Sequence, residues 1–63
     1  MAEKLVKYFE LAAEKGGLQA KMRMAMKTGI PSSKAESEPD SPEVLAKFYE
    51  AAKEIIGPDA PKL

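Results

Sequence analysis

The sequence predicts a small all-α protein of three helices. Two segments, 2–15 and 42–56, repeat apolar residues at the spacing of one helix face and place charged residues opposite. A third segment, 18–28, lies between glycines and consists mostly of residues with high helix propensity. Because 63 residues allow one domain with a thin core, we expect a single helical domain over 1–63.

The first predicted helix, 2–15, carries an apolar arc. Advancing by about 100° per residue gathers apolar side chains on one side and leaves the glutamates and Lys7 on the other. Gly16 and Gly17 end the helix, since glycine readily adopts the left-handed conformation found at many helix ends. The arc consists of Leu5, Val6, Tyr8, Phe9, Ala12 and Ala13.

The middle helix, 18–28, holds three of the four methionines. Leu18, Met22 and Met26 share one face of this helix, and helically spaced methionine usually packs in a core. We therefore expect these three side chains to be buried. Met24 lies outside that face, so the sequence predicts that Met24 is exposed among basic residues.

The last helix, 42–56, has the clearest apolar face in the chain. Asp40 or Ser41 can cap its N-terminus, and Gly57 and the proline after it end the helix. We expect Phe48 of this helix and Phe9 of the first helix to pack against the middle helix. The remaining core is predicted to be Leu5, Leu18, Met22, Leu45, Ile55 and Ile56.

Two segments outside the helices are predicted to be irregular. Residues 30–40 are polar, rich in serine and bracketed by prolines, which predicts a long mobile loop. Residues 58–63 are predicted to form a short C-terminal tail.

The two outer helices share a local sequence pattern. Leu5-Val-Lys-Tyr-Phe-Glu-Leu-Ala recurs forty residues later as Leu45-Ala-Lys-Phe-Tyr-Glu-Ala-Ala. Two explanations remain open: two helices of similar composition, or two equivalent arms that pack on the same central surface. Two copies are too few to define a repeat protein.

Composition argues against several kinds of functional site. The chain has no Cys and no His, which removes disulfides, thiolate metal sites and imidazole chemistry. The carboxylate pairs Glu10/Glu14 and Glu50/Glu54 fall on polar helix faces, where solvent leaves them untuned for acid–base catalysis. We therefore predict no catalytic, cofactor-binding or metal site, no small-molecule substrate, and a protein that is not an enzyme.

The charge balance and hydropathy indicate a cytoplasmic protein that associates with other chains. Ten basic and ten acidic side chains cancel, so no net field attracts nucleic acid or membrane. No apolar run reaches the roughly 20 residues of a membrane span, and charged residues interrupt the N-terminal segment where a signal peptide would be apolar. A core this thin favours stabilisation by a partner protein or by homodimerisation.

The middle helix is the predicted contact surface. Charged residues are exclusively basic over 16–34 and exclusively acidic over 35–43. Methionine is a soft and adaptable contact residue. We predict a non-catalytic protein-interaction module in which an exposed Met24 contacts the partner, surrounded by the basic residues Lys21, Arg23 and Lys27.

The segment 25–35 resembles the turn region of a helix-turn-helix motif. Ala25 corresponds to the small residue that faces the second helix, Gly29 to the turn and Ile30 to the apolar residue after it. The resemblance implies a nucleic-acid-binding protein. The segment that follows the turn is short and acidic, so this function is the alternative and the interaction module is the first prediction.

Overall fold

Residues 3–63 are described by a computed structural model, and they confirm the predicted all-α class. The elements are α1 (Glu3–Thr28), α2 (Ser32–Ala35) and α3 (Pro42–Ile55). No strand occurs among the described residues. The first predicted helix includes residue 2, which lies outside that range.

A kink at Gly17 divides α1 into two arms. Gly17 has φ 71° and ψ −157°, so the helical geometry is interrupted there. Residues 3–16 form the first arm and residues 18–28 the second arm, which matches the two helices that the sequence predicts. A straight helix of 26 residues would measure about 39 Å. The longest dimension of the Cα trace is only 24 Å, so the arms must diverge at the kink.

Gly17→Ala is expected to destabilise the fold by about 1–3 kcal/mol, because the backbone conformation at this position is essentially restricted to glycine. Contacts with other parts of the fold are not the obstacle, since a Cβ at Gly17 would meet no atom beyond its chain neighbours and the local helix backbone within 4 Å. Urea unfolding followed by circular dichroism measures the change. Gln19→Ala, at an exposed position of the second arm, is the control and should change stability by less than about 0.5 kcal/mol. Equal stability of Gly17→Ala and the parent would contradict the kink.

Both arms of α1 pack against α3. The rings of Tyr8 and Phe9 in the first arm lie 6.1 Å and 5.5 Å from the ring of Phe48, measured between centroids. In the second arm, Lys27 Nζ lies 3.0 Å from Glu54 Oε1. The aromatic cluster confirms Phe9 and Phe48 as core residues. The other buried apolar residues are Leu5, Ala12, Ala20, Met24, Ala35, Ala51, Ala52 and Ala60.

The two segments of similar sequence contact each other directly. Tyr8 and Phe9 of the first segment pack on Phe48 of the second. Their leucines are not in equivalent environments, because Leu5 is buried and Leu45 is only partly buried. The similar segments therefore form two sides of one interface in the folded chain.

The N-terminus of α3 begins as the sequence predicts. Ser41 is the cap residue, and its hydroxyl accepts a hydrogen bond from the Val44 amide at 3.3 Å. Pro42 occupies the first turn, where backbone N–H groups have no partner within the helix, so the missing N–H of proline costs no hydrogen bond. This cap fixes where α3 starts and thereby the position of Phe48 opposite the first arm.

Residues 30–40 contain a helical turn that the sequence pattern does not predict. α2 spans four residues, contacts α1, and buries Ala35. One turn is too short to produce a helical pattern of apolar residues, so the sequence indicates only a loop here. Burial of Ala35 fixes the middle of this segment to the body of the protein.

The tail over 58–63 is also attached to the first arm. The Tyr8 hydroxyl donates a hydrogen bond to the Pro61 carbonyl oxygen at 2.9 Å and accepts one from the Leu63 amide at 3.0 Å. Ala60, the residue before Pro61, is buried. Tyr8 therefore satisfies its buried hydroxyl through the tail.

Candidate functional site

The second arm of α1 presents a row of apolar side chains to solvent. Leu18, Met22 and Met26 are 70%, 57% and 82% exposed, and they are the large apolar residues with high exposure in the described range. They recur at intervals of four positions, so the three follow one face of the helix. We call these three side chains the Leu-Met stripe.

The opposite face of the second arm is buried. Ala20, Met24 and Thr28 also follow one another at intervals of four residues, and each is at most 7% exposed. The Thr28 hydroxyl donates to the Met24 carbonyl oxygen at 2.8 Å and accepts from the Ile30 amide at 3.3 Å. The one polar side chain on the buried face therefore has its hydrogen bonds satisfied within the chain.

Two predictions about this helix are wrong. Met24, predicted to be exposed, is fully buried, whereas Leu18, Met22 and Met26, predicted to be core, face solvent. The arm has apolar side chains on both faces, so periodicity alone could not determine which face is inside. The rotation of the arm depends on the non-helical backbone at Gly17, which breaks the angular relation between the two arms.

A pair of small residues was the available signal for the correct rotation. A Cβ placed on Gly16 would lie 2.9 Å from the Cβ of Ala20. Such a distance is too short for two methyl groups, so Ala20 packs directly against the backbone at Gly16. The face of the second arm that carries Ala20 therefore points toward the first arm. Met24 and Thr28 lie one and two turns further along the same face and follow it into the core.

Basic side chains border the Leu-Met stripe. At about 100° per residue, Lys21 and Arg23 project to opposite sides of Met22. Arg23 is exposed and Lys21 is half-buried. The sequence over 16–34 contains no acidic residue. The stripe therefore has an exposed basic side chain on its Arg23 side. Lys21 instead lines a cavity together with the acidic residues Glu10 and Glu36.

Lys27 belongs to a different part of the surface. Its ammonium group forms an ion pair with Glu54 of α3, with 3.0 Å between Nζ and Oε1. An exposed pair of this kind contributes at most about 1 kcal/mol to stability. Of the four residues predicted to contact a partner, Lys21 and Arg23 border the stripe, Lys27 faces α3 and Met24 is core.

The carboxylate pairs Glu10/Glu14 and Glu50/Glu54 lie at the surface of the protein. Glu10 and Glu14 are exposed on the first arm. On α3, Glu54 pairs with Lys27, and Glu50 Oε2 lies 3.1 Å from Lys53 Nζ. Within 3–63, no group of three potential ligand residues could hold a metal ion. No helix of the described chain has the length and apolar content to cross a membrane.

The segment that resembles a helix-turn-helix forms a hydrogen-bonded turn followed by the short helix α2. Gly29 has φ 77°, and its amide donates to the Ala25 carbonyl oxygen at 2.8 Å. Ile30 packs against the core. α2 then begins at Ser32 and ends after four residues. A recognition helix reads bases with side chains distributed over more than one turn, and α2 does not provide that length.

The fold and this surface define a three-helix all-α protein with an exposed apolar helix face and a basic border. Comparison with family models, curated proteins and solved structures found no match.

Proposed function

We propose that this protein is a non-catalytic interaction module that binds an acidic protein partner through the Leu-Met stripe and its basic border. The observation that carries the proposal is the joint exposure of Leu18, Met22 and Met26 on one helix face. An aligned row of large apolar side chains in water is unfavourable for an isolated chain, and such surfaces often mark interaction sites.

The size of the stripe sets the strength of the expected interaction. Complete burial of three large apolar side chains contributes about 4–9 kcal/mol before the entropy of association is subtracted. A dissociation constant of about 1 µM corresponds to about 8 kcal/mol. The stripe alone therefore supports weak, reversible binding, and charge at its edges is needed to add specificity.

The charge of the border indicates the chemistry of the partner. If two antiparallel copies packed stripe against stripe, Arg23 would lie on the same side as Arg23 of the second copy, and like charges that face each other repel. Carboxylates on a partner would instead attract Arg23. Methionine side chains adapt to different apolar shapes, which suits a partner surface that is not perfectly complementary.

A peptide-display selection against the immobilised protein tests this proposal and requires no candidate partner. We expect the recovered peptides to combine apolar residues with Asp or Glu. The double variant Leu18→Gln/Met26→Gln should weaken their binding at least about tenfold, the equivalent of about 1.4 kcal/mol. Arg23→Gln should weaken binding at low salt and have little effect at high salt. Lys47→Gln, at an exposed position of α3, is the matched control and should bind like the parent.

Three results would overturn the proposal. Peptide binding that is indifferent to the stripe variants would remove the stripe from the interface. Salt-dependent binding of short duplex DNA that requires Arg23 but not Leu18 or Met26 would favour the alternative function predicted from the helix-turn-helix resemblance. A dimer in sedimentation equilibrium that the double variant dissociates would assign the stripe to a second copy of the chain.

A further inference from the structure

We infer that Met22 and Met26 form an oxidation site through which peroxide changes the Leu-Met stripe from apolar to polar while the fold persists. The effect on partner binding rests on the proposed function, whereas the selective oxidation and the change in surface polarity do not.

The contrast in accessibility among neighbouring methionines supports this inference. Met26 is 82% exposed and Met22 is 57% exposed, whereas Met24 between them is fully buried. All three lie in the same arm of α1, two residues apart, in the same helical backbone. Access of oxidant to the sulfur is therefore the main difference between them, and it favours the two stripe positions.

The reaction needs no other group from the protein. The thioether sulfur attacks one oxygen of hydrogen peroxide, the S–O bond forms as the O–O bond breaks, and water leaves after proton transfer. Sulfur loses two electrons and peroxide gains them, which yields methionine sulfoxide. The chain contains no cysteine that would compete for the oxidant.

The expected consequence is confined to the surface. A sulfoxide is polar, so oxidation removes the apolar character of two of the three stripe side chains. Both side chains project away from the core, on the face opposite Met24, and the buried aromatic cluster does not involve them. The fold should therefore tolerate both sulfoxides. Methionine sulfoxide reductases reverse the modification, with a separate enzyme for each epimer, and exposed positions are open to them.

A time course of hydrogen peroxide treatment tests site selectivity. Cleavage after Glu14 and Glu36 releases the peptide 15–36, in which tandem mass spectrometry assigns each sulfoxide. We expect Met22 and Met26 to oxidise at least tenfold faster than Met24 in the folded protein. The difference should disappear in denaturant, which provides an internal control. Oxidation of Met24 as fast as Met26 in native buffer would overturn the inference.

Retention on a hydrophobic-interaction column tests the change in polarity without a partner. Oxidised protein should elute earlier and keep its circular dichroism spectrum, and reductase treatment should restore the original retention. Met22→Leu/Met26→Leu retains an apolar stripe that cannot be oxidised, so it measures the contribution of Met1 and Met24, and peroxide should shift its elution less than that of the parent. Unchanged retention of the doubly oxidised parent, or its unfolding, would overturn the inference.

The effect on binding is measured with the acidic peptides from the display selection. Oxidation should weaken their binding to the parent at least tenfold and leave Met22→Leu/Met26→Leu unaffected. Failure to find any stripe-dependent peptide would refute the proposed function and leave the selective oxidation intact. Stripe-dependent peptides that bind oxidised and reduced protein equally would refute the regulatory role alone.

Discussion

Phe48→Ala is expected to lower the free energy of unfolding by about 3–5 kcal/mol. Phe48 is completely buried and contacts both Tyr8 and Phe9 of the first arm. Truncation of a buried phenylalanine to alanine costs about 3–5 kcal/mol. A domain of 63 residues has a total stability of about 3–9 kcal/mol. The substitution therefore removes a large part or all of the folding free energy.

Circular dichroism during urea titration measures this effect. Phe48→Leu preserves most of the side-chain volume and should remain folded with a lower midpoint, which keeps the prediction measurable if the alanine variant is wholly unfolded. Lys47→Ala changes the adjacent exposed position and should shift stability by less than about 0.5 kcal/mol. A Phe48→Ala protein with the parent's midpoint would show that α3 does not pack on the first arm through this ring.

Met24→Glu is expected to lower the free energy of unfolding by at least about 4 kcal/mol, whereas Met26→Glu should leave stability nearly unchanged. Met24 is fully buried and Met26 is 82% exposed, although only one residue separates them in the same arm. A carboxylate at Met24 would lose its hydration without gaining a partner and would also remove core volume, at a combined cost of at least about 4 kcal/mol. A surface substitution away from special features changes stability by about 0.5 kcal/mol or less.

This pair of variants measures the rotation of the second arm. Both variants replace methionine with glutamate. Their melting temperatures and circular dichroism spectra can therefore be compared directly. Met24→Leu is a third variant that should fold, because it replaces methionine with a side chain of similar volume. If Met26→Glu unfolds and Met24→Glu remains folded, the stripe is the buried face and the proposed interaction surface is lost.

Much of the architecture could be predicted because it depends on local properties of the chain. Glycines at 16 and 17 mark the break between the arms, and the Ser41 cap marks the start of α3. Phe9 and Phe48 were recognisable as core residues because each lies on a clear apolar arc of its helix. These features require only helix periodicity and the conformational preferences of single residues.

The rest depends on contacts between distant segments. The attachment of the tail to Tyr8 joins residues 53 and 55 positions apart, and no local pattern records it. The exposure of the Leu-Met stripe could not be predicted for a related reason. A helix with two apolar faces buries the face on which its neighbours pack, and apolar periodicity does not contain that information. The small residues Gly16 and Ala20 are the one local signal that bears on it. Lys21, Arg23 and Lys27 were predicted from their charge near Met24. The rotation of the arm places Lys27 against Glu54 and the other two beside the stripe.

The contacts of Tyr8 also determine when the protein can fold during its synthesis on the ribosome. Among residues 3–63, Tyr8 and Phe9 pack on the ring of Phe48 in α3, and the Tyr8 hydroxyl forms its hydrogen bonds with Pro61 and Leu63. Until α3 has left the ribosome, the two arms of α1 lack the surface that covers their apolar side chains. The aromatic core can therefore form only after α3 has emerged, because Tyr8 and Phe9 before that point lack the ring that packs on them.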